Sequence, residues 1–432
     1  MKNVIDVLEE RGFIESMSSE ELRQSADQPL KLYIGFDPTA DSLHLGNMVG
    51  IIAAHWFQKF GHSPVIILGG ATGRIGDPSG RSIERPLLAD ETIAHNVEKI
   101  KKNLEKIFSQ NEKTDNLPLI VDNNEWYRHL LLIDFLRDVG KHFRMSTMLA
   151  KESVRTRLES EEGLSFTEFS YQIFQGYDFY HLYTHFGVVL QVGGSDQWGN
   201  ITSGIELIRR LCHKPAFGIT FPLLTRSDGK KFGKSEERAI WLSEERLSPY
   251  KFYQYLYQIS DPDVTRLMRM LTVMDLEEIL FWEKEMEKPS YSPNSAQKRL
   301  AEEITRFIHG EEGLRVAQRV TEAAAPGAKA SLDLELLREI SADLPNVVLH
   351  RTEVVNEKYV DLLAKTGILS SKGEAIRLIQ NGGAYLNEEK IEETGFRIGE
   401  KHLIGDEFIL IGIGKKKKFL IHIPRDTKKL LD

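Results

Sequence analysis

A single cysteine, Cys212, stands among the 432 residues. It excludes an intrachain disulfide and a cysteine-rich metal centre. No apolar run approaches the roughly 20 residues that a membrane-spanning helix needs, so no membrane association is expected. The stretch MKNVIDVLEERGF at the start is acidic and amphipathic, unlike a signal or transit peptide. These absences lead to the expectation of a soluble cytoplasmic protein. Positive charge is also lacking overall, with a net charge of −8. Its distribution is uneven: residues 401–432 carry +4, leaving −12 for the remainder. A basic end on an acidic body fits a local polyanion contact, although charge alone favours a plain solvated tail. What is present is ordinary for globular chains, 41% hydrophobic and 28% charged. That balance excludes wholesale disorder, collagen and coiled coil, and the length predicts about two to four domains.

The first half alternates short apolar runs with longer amphipathic stretches. LKLYIGF (30–36), PVIILGG (64–70), LPLIVDN (117–123) and GVVLQVGG (187–194) read as buried strands, and 44–60, 90–109 and 196–212 as helices. This alternation predicts an α/β fold with a mostly parallel sheet covered on both faces. Ligands of such sheets bind at the carboxyl ends of the strands, so the loops after Gly35, Gly70, Val121 and Val192 are where chemistry is expected. From Ser248 to Glu322 the pattern is helical, broken at Asp261-Pro262-Asp263 and from Pro289 to Asn294. AAAPGAKA (323–330) reads as a linker. From about residue 350, two short helices, KYVDLLAKTGI and SKGEAIRLIQNGG, precede a strand-turn and a hairpin whose tip holds Lys415 to Lys418. Ser371 with Glu374 has capping-box spacing, and Asn381-Gly382-Gly383 is a helix-stop signal.

Four strings carry chemistry. In YIGFDPTADSLHLGN (33–47) a strand ends at Gly35, a turn follows at Asp37-Pro38-Thr39, and a helix is expected from near Leu43. His44 and Asn47, three apart, share one face of its first turn, where amides and dipole favour an anion. Gly46 is expected to leave room for a flat group such as a nucleobase. In TRSDGKKFGKS (225–235), Gly229 and Gly233 flank Lys230 and Lys231, and Lys234 follows. A cationic loop of this kind suits a polyphosphate leaving group, but the spacing is not that of a P-loop. In YQIFQGYD (171–178), Tyr171, Gln175 and Asp178 fall at i, i+4 and i+7, a polar stripe suited to a polar aromatic ligand. Tyr33 on the first strand is placed to add a second hydroxyl. In QVGGSDQWGN (191–200) a strand runs through Gly193 and Gly194 to Asp196, an acid positioned to accept from ribose hydroxyls.

The pair His44-Leu45-Gly46-Asn47 and Lys231-Phe232-Gly233-Lys234-Ser235 resembles the HIGH and KMSKS signatures of the class I aminoacyl-tRNA synthetases. Asn47 replaces a histidine but still donates a hydrogen bond, and Phe232-Gly233 replaces Met-Ser. With GGATGRIGDPSG, TEFSYQIFQGYDF and VGGSDQWGNI in the same order, nearly the whole chain is similar to the bacterial tyrosyl-tRNA synthetases that carry a C-terminal S4-type RNA-binding domain. The resemblance implies a Rossmann-like catalytic domain over 1–240, an α-helical tRNA-binding domain over 245–322, a linker over 323–350 and an α+β S4-like domain over 351–432. It implies that Tyr33 and Asp178 bond the substrate phenol. Tyr171, Gln175 and Asp77 hold its amino group, with Asn123 and Gln197 in the same network. Asp37, Gly46, Gly194 and Asp196 contact ATP. Thr39, His44, Asn47, Lys231 and Lys234 serve the phosphates, Lys234 also counting among the ATP contacts. The implied partners are L-tyrosine, ATP with Mg2+, tRNA(Tyr) and a second copy of the chain in a homodimer, with no tightly bound cofactor and no metal site of the protein's own. An RNA-binding or regulatory protein on a catalytically inert synthetase scaffold is the alternative, and the joint presence of His44, the loop lysines and the tyrosine pocket argues against it.

Overall fold

The computed structural model describes residues 2–80, 84, 86–111, 116–160, 163–227, 229, 232–233, 239–324, 334–341, 344–414 and 417–424. Two compact units divide the chain, Met1–Leu247 with Tyr255–Gly310, and Ser248–Gln254 with Glu311–Asp432.

The first unit is built on six strands: β1 (Ser16–Met17), β2 (Lys31–Phe36), β3 (Ser63–Leu68), β4 (Leu119–Asp122), β5 (Val188–Gly194) and β6 (Phe217–Phe221). Their order is β1-β6-β5-β2-β3-β4, all parallel except the antiparallel edge pair of β1 and β6. Four strands stand where the apolar runs predict them. β6 was not expected, because Pro215 and Gly218 interrupt its apolar run. Gly218 is there for packing: a Cβ on it would lie 2.4 Å from Ile201 of the covering helix.

Alternation along β2 sends its side chains to opposite faces. Tyr33 packs with Val65, Ile67, Phe179, Leu182 and Ile208. Ile34 and Phe36 meet the helix Met48–Lys59 at Gly50, where a Cβ would sit 3.4 Å from either. Helices Phe166–Phe186 and Trp198–Cys212 cross closely at Gly176 and Gly204, and a Cβ on Gly204 would approach Phe179 to 2.8 Å. This close crossing brings the polar stripe of the first helix against the start of the second.

The segment from Pro249 onward is helical, as expected, in Pro249–Tyr257, Asp261–Leu271, Leu276–Met286 and Ser295–Ala324. The last bends at Gly310, whose φ of 75° is non-helical.

In the second unit the strands are β7 (Asn346–Val348), β8 (Ala384–Leu386), β9 (Glu389–Lys390), β10 (Phe408–Ile413) and β11 (Lys417–His422), ordered β7-β11-β10-β8-β9. Tyr359, Leu362, Leu363, Ala375 and Ile379 of two helices pack on Ile409, Ile411 and Ile421. Ser371 caps its helix by accepting from the Glu374 amide at 3.2 Å, but the Glu374 carboxylate returns to Ser370 rather than Ser371. The stop at Asn381-Gly382-Gly383 forms as expected, with Gly382 at φ 67°. Two expectations need correcting. Residues 323–350 are not merely a linker: Leu334–Ser341 is a helix with Leu337 fully buried, and β7 pairs in parallel with β11. The hairpin tip is also less basic than its sequence, since Lys418 pairs with Glu388 at 2.6 Å and its side chain is only 10% exposed. Lys415 and Lys416 lie outside the described residues.

Candidate active site

A cavity of about 730 Å³ opens at the carboxyl ends of β2, β3 and β5, in the place the sheet topology dictates. At one end lies Tyr33, 2% exposed, its ring set edge-on to Phe179 with centroids 5.3 Å apart. Its hydroxyl is buried with no hydrogen-bond partner. Burial, with the nearby Asp178 charge, holds the phenol's pKa well above its usual value. Gln191, beside Tyr33 in register on β5, likewise lines the cavity with an unpartnered buried carbonyl.

Asp178 also lines this end. Its Oδ1 accepts from Trp126 Nε1 at 2.9 Å and its Oδ2 from Asn123 Nδ2 at 3.1 Å. Burial raises its pKa to about 7, and the hydrogen bonds from Asn123 and Trp126 limit the rise. Asn123 is fully buried and does not line the cavity. Its Oδ1 accepts from the Ala71 amide at 2.8 Å, which orients the Nδ2 donor toward Asp178. Asn123 therefore acts through Asp178, whereas the resemblance had grouped it with the substrate contacts.

Above this end sits a polar network. Tyr171 donates to Asp37 Oδ2 at 2.9 Å, and Thr72 donates to Asp37 Oδ1 at 2.9 Å. Gln197 Nε2 donates to Asp77 Oδ2 at 2.7 Å. Asn200 Nδ2, buried, donates to Gln175 Oε1 at 3.0 Å and to Asp77 Oδ1 at 3.4 Å. These partners leave two carboxylates, Asp37 and Asp77, facing the cavity with fixed geometry. A small cation such as an ammonium suits that surface.

The turn at His44 differs from the expected open helix start. Leu45–Asn47 forms a 3-10 turn before the helix proper begins at Met48. Its amides are already taken: Leu45 N donates to Ile240 O at 2.8 Å, Gly46 N to His44 Nδ1 at 3.1 Å, and Asn47 N to His44 O at 2.8 Å. An anion here would meet side chains, not free backbone. Because Nδ1 accepts, the imidazole proton rides on Nε2 when the ring is neutral, which makes Nε2 a donor. Asn47 Oδ1 accepts from the His44 amide at 3.0 Å, which leaves its Nδ2 to donate. A Cβ on Gly46 would lie 2.9 Å from the His44 ring, so the glycine lets that ring fold over the turn, and Gly46 itself lines the cavity.

Thr39, Gly194 and Asp196 also line the cavity, with Phe232 and Trp241. A Cβ on Gly194 would lie 2.6 Å from Asp196 Oδ1. Gly233 has φ 83°, and a Cβ on it would lie 2.9 Å from the Gly46 amide nitrogen, so glycine is required twice over at that point. The structure thus brings Tyr33, Asp37, Thr39, His44, Gly46, Asn47, Asp77, Tyr171, Gln175, Asp178, Gly194, Asp196 and Gln197 to one cavity. Lys231 and Lys234 lie outside the described residues. Sequence reasoning missed Trp126 and Asn200, which orient the lining residues, and Thr72 and Gln191, which line the cavity themselves. Asn200 and Gln191 lay inside a string already singled out. Trp126 had no local signal at all.

The family described as tRNA synthetases class I (W and Y) matches residues 25–325, and that of the tyrosine–tRNA ligase SYY-like C-terminal domain matches 337–421. The tyrosine–tRNA ligase of Protochlamydia amoebophila is 56% identical over 98% of this chain and 99% of its own length. The chain belongs to the class I tyrosyl-tRNA synthetase family. The chloroplastic/mitochondrial tyrosine–tRNA ligase of Arabidopsis thaliana is 48% identical over 98% of this chain and 84% of its own. In the crystal structure of the C-terminally truncated mitochondrial tyrosyl-tRNA synthetase of Aspergillus nidulans the fold recurs with a TM-score of 0.66. That match has 29% identity and covers 73% of this chain and 92% of that one. Members of the family use ATP as a substrate. Among the described residues no helix is long and apolar enough to cross a membrane.

Proposed function

We infer that the chain is a tyrosine–tRNA ligase that activates L-tyrosine with ATP and passes the tyrosyl group to the 3′-terminal adenosine of tRNA(Tyr). The observation that carries this reading is the Tyr33 hydroxyl, buried and unpartnered, in the same cavity as the Asp178 carboxylate and the His44 turn. A substrate phenol satisfies both groups by accepting from one and donating to the other. Tyr171, Gln175 and Asp77 take the amino group, with Gln197 holding Asp77, and Asp37, held by Tyr171, faces ATP. Asn123 keeps Asp178 oriented.

The reaction requires no protein nucleophile. The tyrosine carboxylate, with a pKa near 3.5, is ionised at neutral pH. One of its oxygens forms a bond to the α-phosphorus of ATP, and the bond from that phosphorus to the bridging oxygen breaks. Pyrophosphate leaves with the electron pair. The protein aligns the two reactants and stabilises charge on the phosphates. Asp196 and Gly194 hold the ribose. Thr39, His44 Nε2 and Asn47 Nδ2 donate to the phosphates, and Lys231 and Lys234 supply positive charge on the pyrophosphate side. Mg2+ arrives with ATP. We assign catalysis to 1–240, tRNA contacts to the helical segment 245–322 and to an S4-like domain over 351–432, and the cytoplasm as the site of action.

The working form is a homodimer. Exposed large apolar side chains concentrate between residues 131 and 166: Leu131 is 69% exposed, Leu132 70%, Ile133 73% and Phe166 79%. Exposed apolar side chains at this density along the sequence support a protein contact in this segment. Phe166→Asp buries a charge at that contact, and sedimentation at micromolar concentration is expected to find a monomer. A persistent dimer would place the interface elsewhere.

The function is tested by charging. The protein, ATP, Mg2+ and labelled tyrosine are expected to yield acid-precipitable tyrosyl-tRNA with bacterial tRNA(Tyr), and none with labelled phenylalanine or tryptophan. Absence of charging by a folded sample would refute the reading.

A further inference from the structure

The segment that leads into KKFGKS is tied to the helical part of the first unit by one buried carboxylate. Asp263 is 2% exposed. Its Oδ1 and Oδ2 accept from the Ser227 amide at 3.0 and 3.2 Å, and Oδ2 accepts from Ser227 Oγ at 3.1 Å and from Ser260 Oγ at 2.8 Å. Arg266 donates to Asp263 Oδ1 at 3.3 Å and also bonds the Thr225 carbonyl. Burial alone would raise the Asp263 pKa, but the bonds from Ser260 and Ser227 outweigh it and hold the carboxyl below its usual range. It therefore stays charged at neutral pH. The helix that carries it, Asp261–Leu271, is itself fixed at the far end. Arg11, buried, donates to the carbonyls of Thr272 and Met274, both at 2.7 Å.

The clamped segment reaches the cavity. Phe232 N donates to Leu224 O at 3.0 Å, which closes the loop on its own stem. Phe232 lines the cavity and meets Tyr255 edge-on at 6.0 Å, and Gly233 lies against the Gly46 amide. These contacts join Phe232 and Gly233 to the turn that orients His44, so a shift of the stem at Ser227 is expected to reach that turn.

We infer that Asp263 is a positioning residue for tyrosine activation: it fixes the Thr225–Ser227 stem and so seats Phe232 and Gly233 against the His44 turn. Neither signature string contains it, and it touches no cavity-lining group of the tyrosine end. The inference rests on the cavity being the activation site. A hydrogen bond to a buried charge that is lost in the reacting geometry is expected to lower rate rather than substrate affinity.

The test compares wild type, Asp263→Asn, Asp263→Glu and the pair Ser227→Ala with Arg266→Ala. Three quantities are read: equilibrium tyrosine binding, kcat and KM for ATP in tyrosine-dependent pyrophosphate exchange, and the thermal midpoint. Asp263→Asn is expected to lower kcat by about tenfold or more while the tyrosine Kd stays within about twofold. Asp263→Glu, which keeps the charge, recovers part of the loss. A purely structural role would move the thermal midpoint and leave that ratio of kcat to Kd unchanged. If Asp263→Asn does not fold, the Ser227→Ala, Arg266→Ala pair decides, because it removes partners on the exposed side of the clamp and leaves Asp263 in place. A wild-type kcat in the folded Asp263→Asn protein or in the pair overturns the inference while leaving the activity intact. No exchange by the wild type overturns the activation site and this inference together.

Discussion

Asp178→Asn is expected to weaken tyrosine binding by about one to three orders of magnitude, the cost of losing one partner of a buried charged hydrogen bond, and to leave phenylalanine binding where it was. The ratio between the two amino acids then collapses. The cause is the environment of the carboxylate. Asp178 is buried, accepts from Trp126 and Asn123, interacts with Tyr127 as well, and lines the cavity where the phenol is expected. Phenylalanine offers that site nothing, and the Tyr33 hydroxyl also stays unsatisfied. Tyrosyl-tRNA synthetases are the standing example of such rejection. Asp178→Asn also costs stability, because both carboxylate oxygens accept from fixed donors and the new amide NH2 must face one of them, so the thermal midpoint is read alongside binding.

The pKa of about 7 adds a pH signature. Below it the free site holds a proton on Asp178, which must leave when a phenol donates to the carboxylate. Tyrosine Kd is therefore expected to rise by about tenfold per unit as pH falls below 7, and to be flat above it. Isothermal titration between about pH 5.5 and 8 reads the slope, and Asp178→Asn should abolish it. The sign for stability is opposite to that of a salt-bridged acid. The folded state keeps its proton where the unfolded chain, with an ordinary carboxyl, has released it. This group's contribution to stability thus declines from about pH 4 to about pH 7 and is constant beyond.

His44→Ala should lower the turnover of tyrosine activation by about 10²–10³-fold, the usual cost of removing one fixed donor to developing charge. Tyrosine affinity should change by less than about threefold. In the proposed mechanism His44 serves the phosphates and not the phenol, and its Nδ1 is committed to the Gly46 amide. The proposed donor to the phosphates is therefore Nε2. His44→Asn separates the two jobs, since its side-chain oxygen can still cap the turn while the donor is displaced. Both variants should lose turnover, but only the alanine should lose stability as well, by about 1 kcal/mol. Stopped-flow measurement of adenylate formation alongside equilibrium binding resolves the two. Parallel losses in rate and affinity would place His44 in ground-state binding.

Most of this site was legible because its residues follow local periodicities. Tyr171, Gln175 and Asp178 fall on one helical stripe, and Tyr33, Asp37, Gly194 and Asp196 lie at or near strand ends where sheet topology puts ligands. The supporting shell was not legible. Trp126 reaches Asp178 across 52 residues of sequence and Asn200 reaches Asp77 across 123, and no spacing rule spans such distances. The expected anion site at the helix start failed for the same reason: the Leu45 amide is consumed by Ile240, from a segment nearly two hundred residues away. β6 was hidden because its glycine serves helix packing rather than strand propensity. Residues from the strings at 33–47, 171–178 and 191–200 meet in one cavity, but the bonds that tie Asn123 to Ala71 and Asp178 came only from the structure.

The most direct measurement of the central claim is tyrosine-dependent exchange of labelled pyrophosphate into ATP, without tRNA, with phenylalanine and tryptophan as controls. Exchange is expected with tyrosine alone. Exchange with phenylalanine at a comparable rate would contradict the roles given to Tyr33 and Asp178, and no exchange with any amino acid in a folded sample would contradict activation at this cavity.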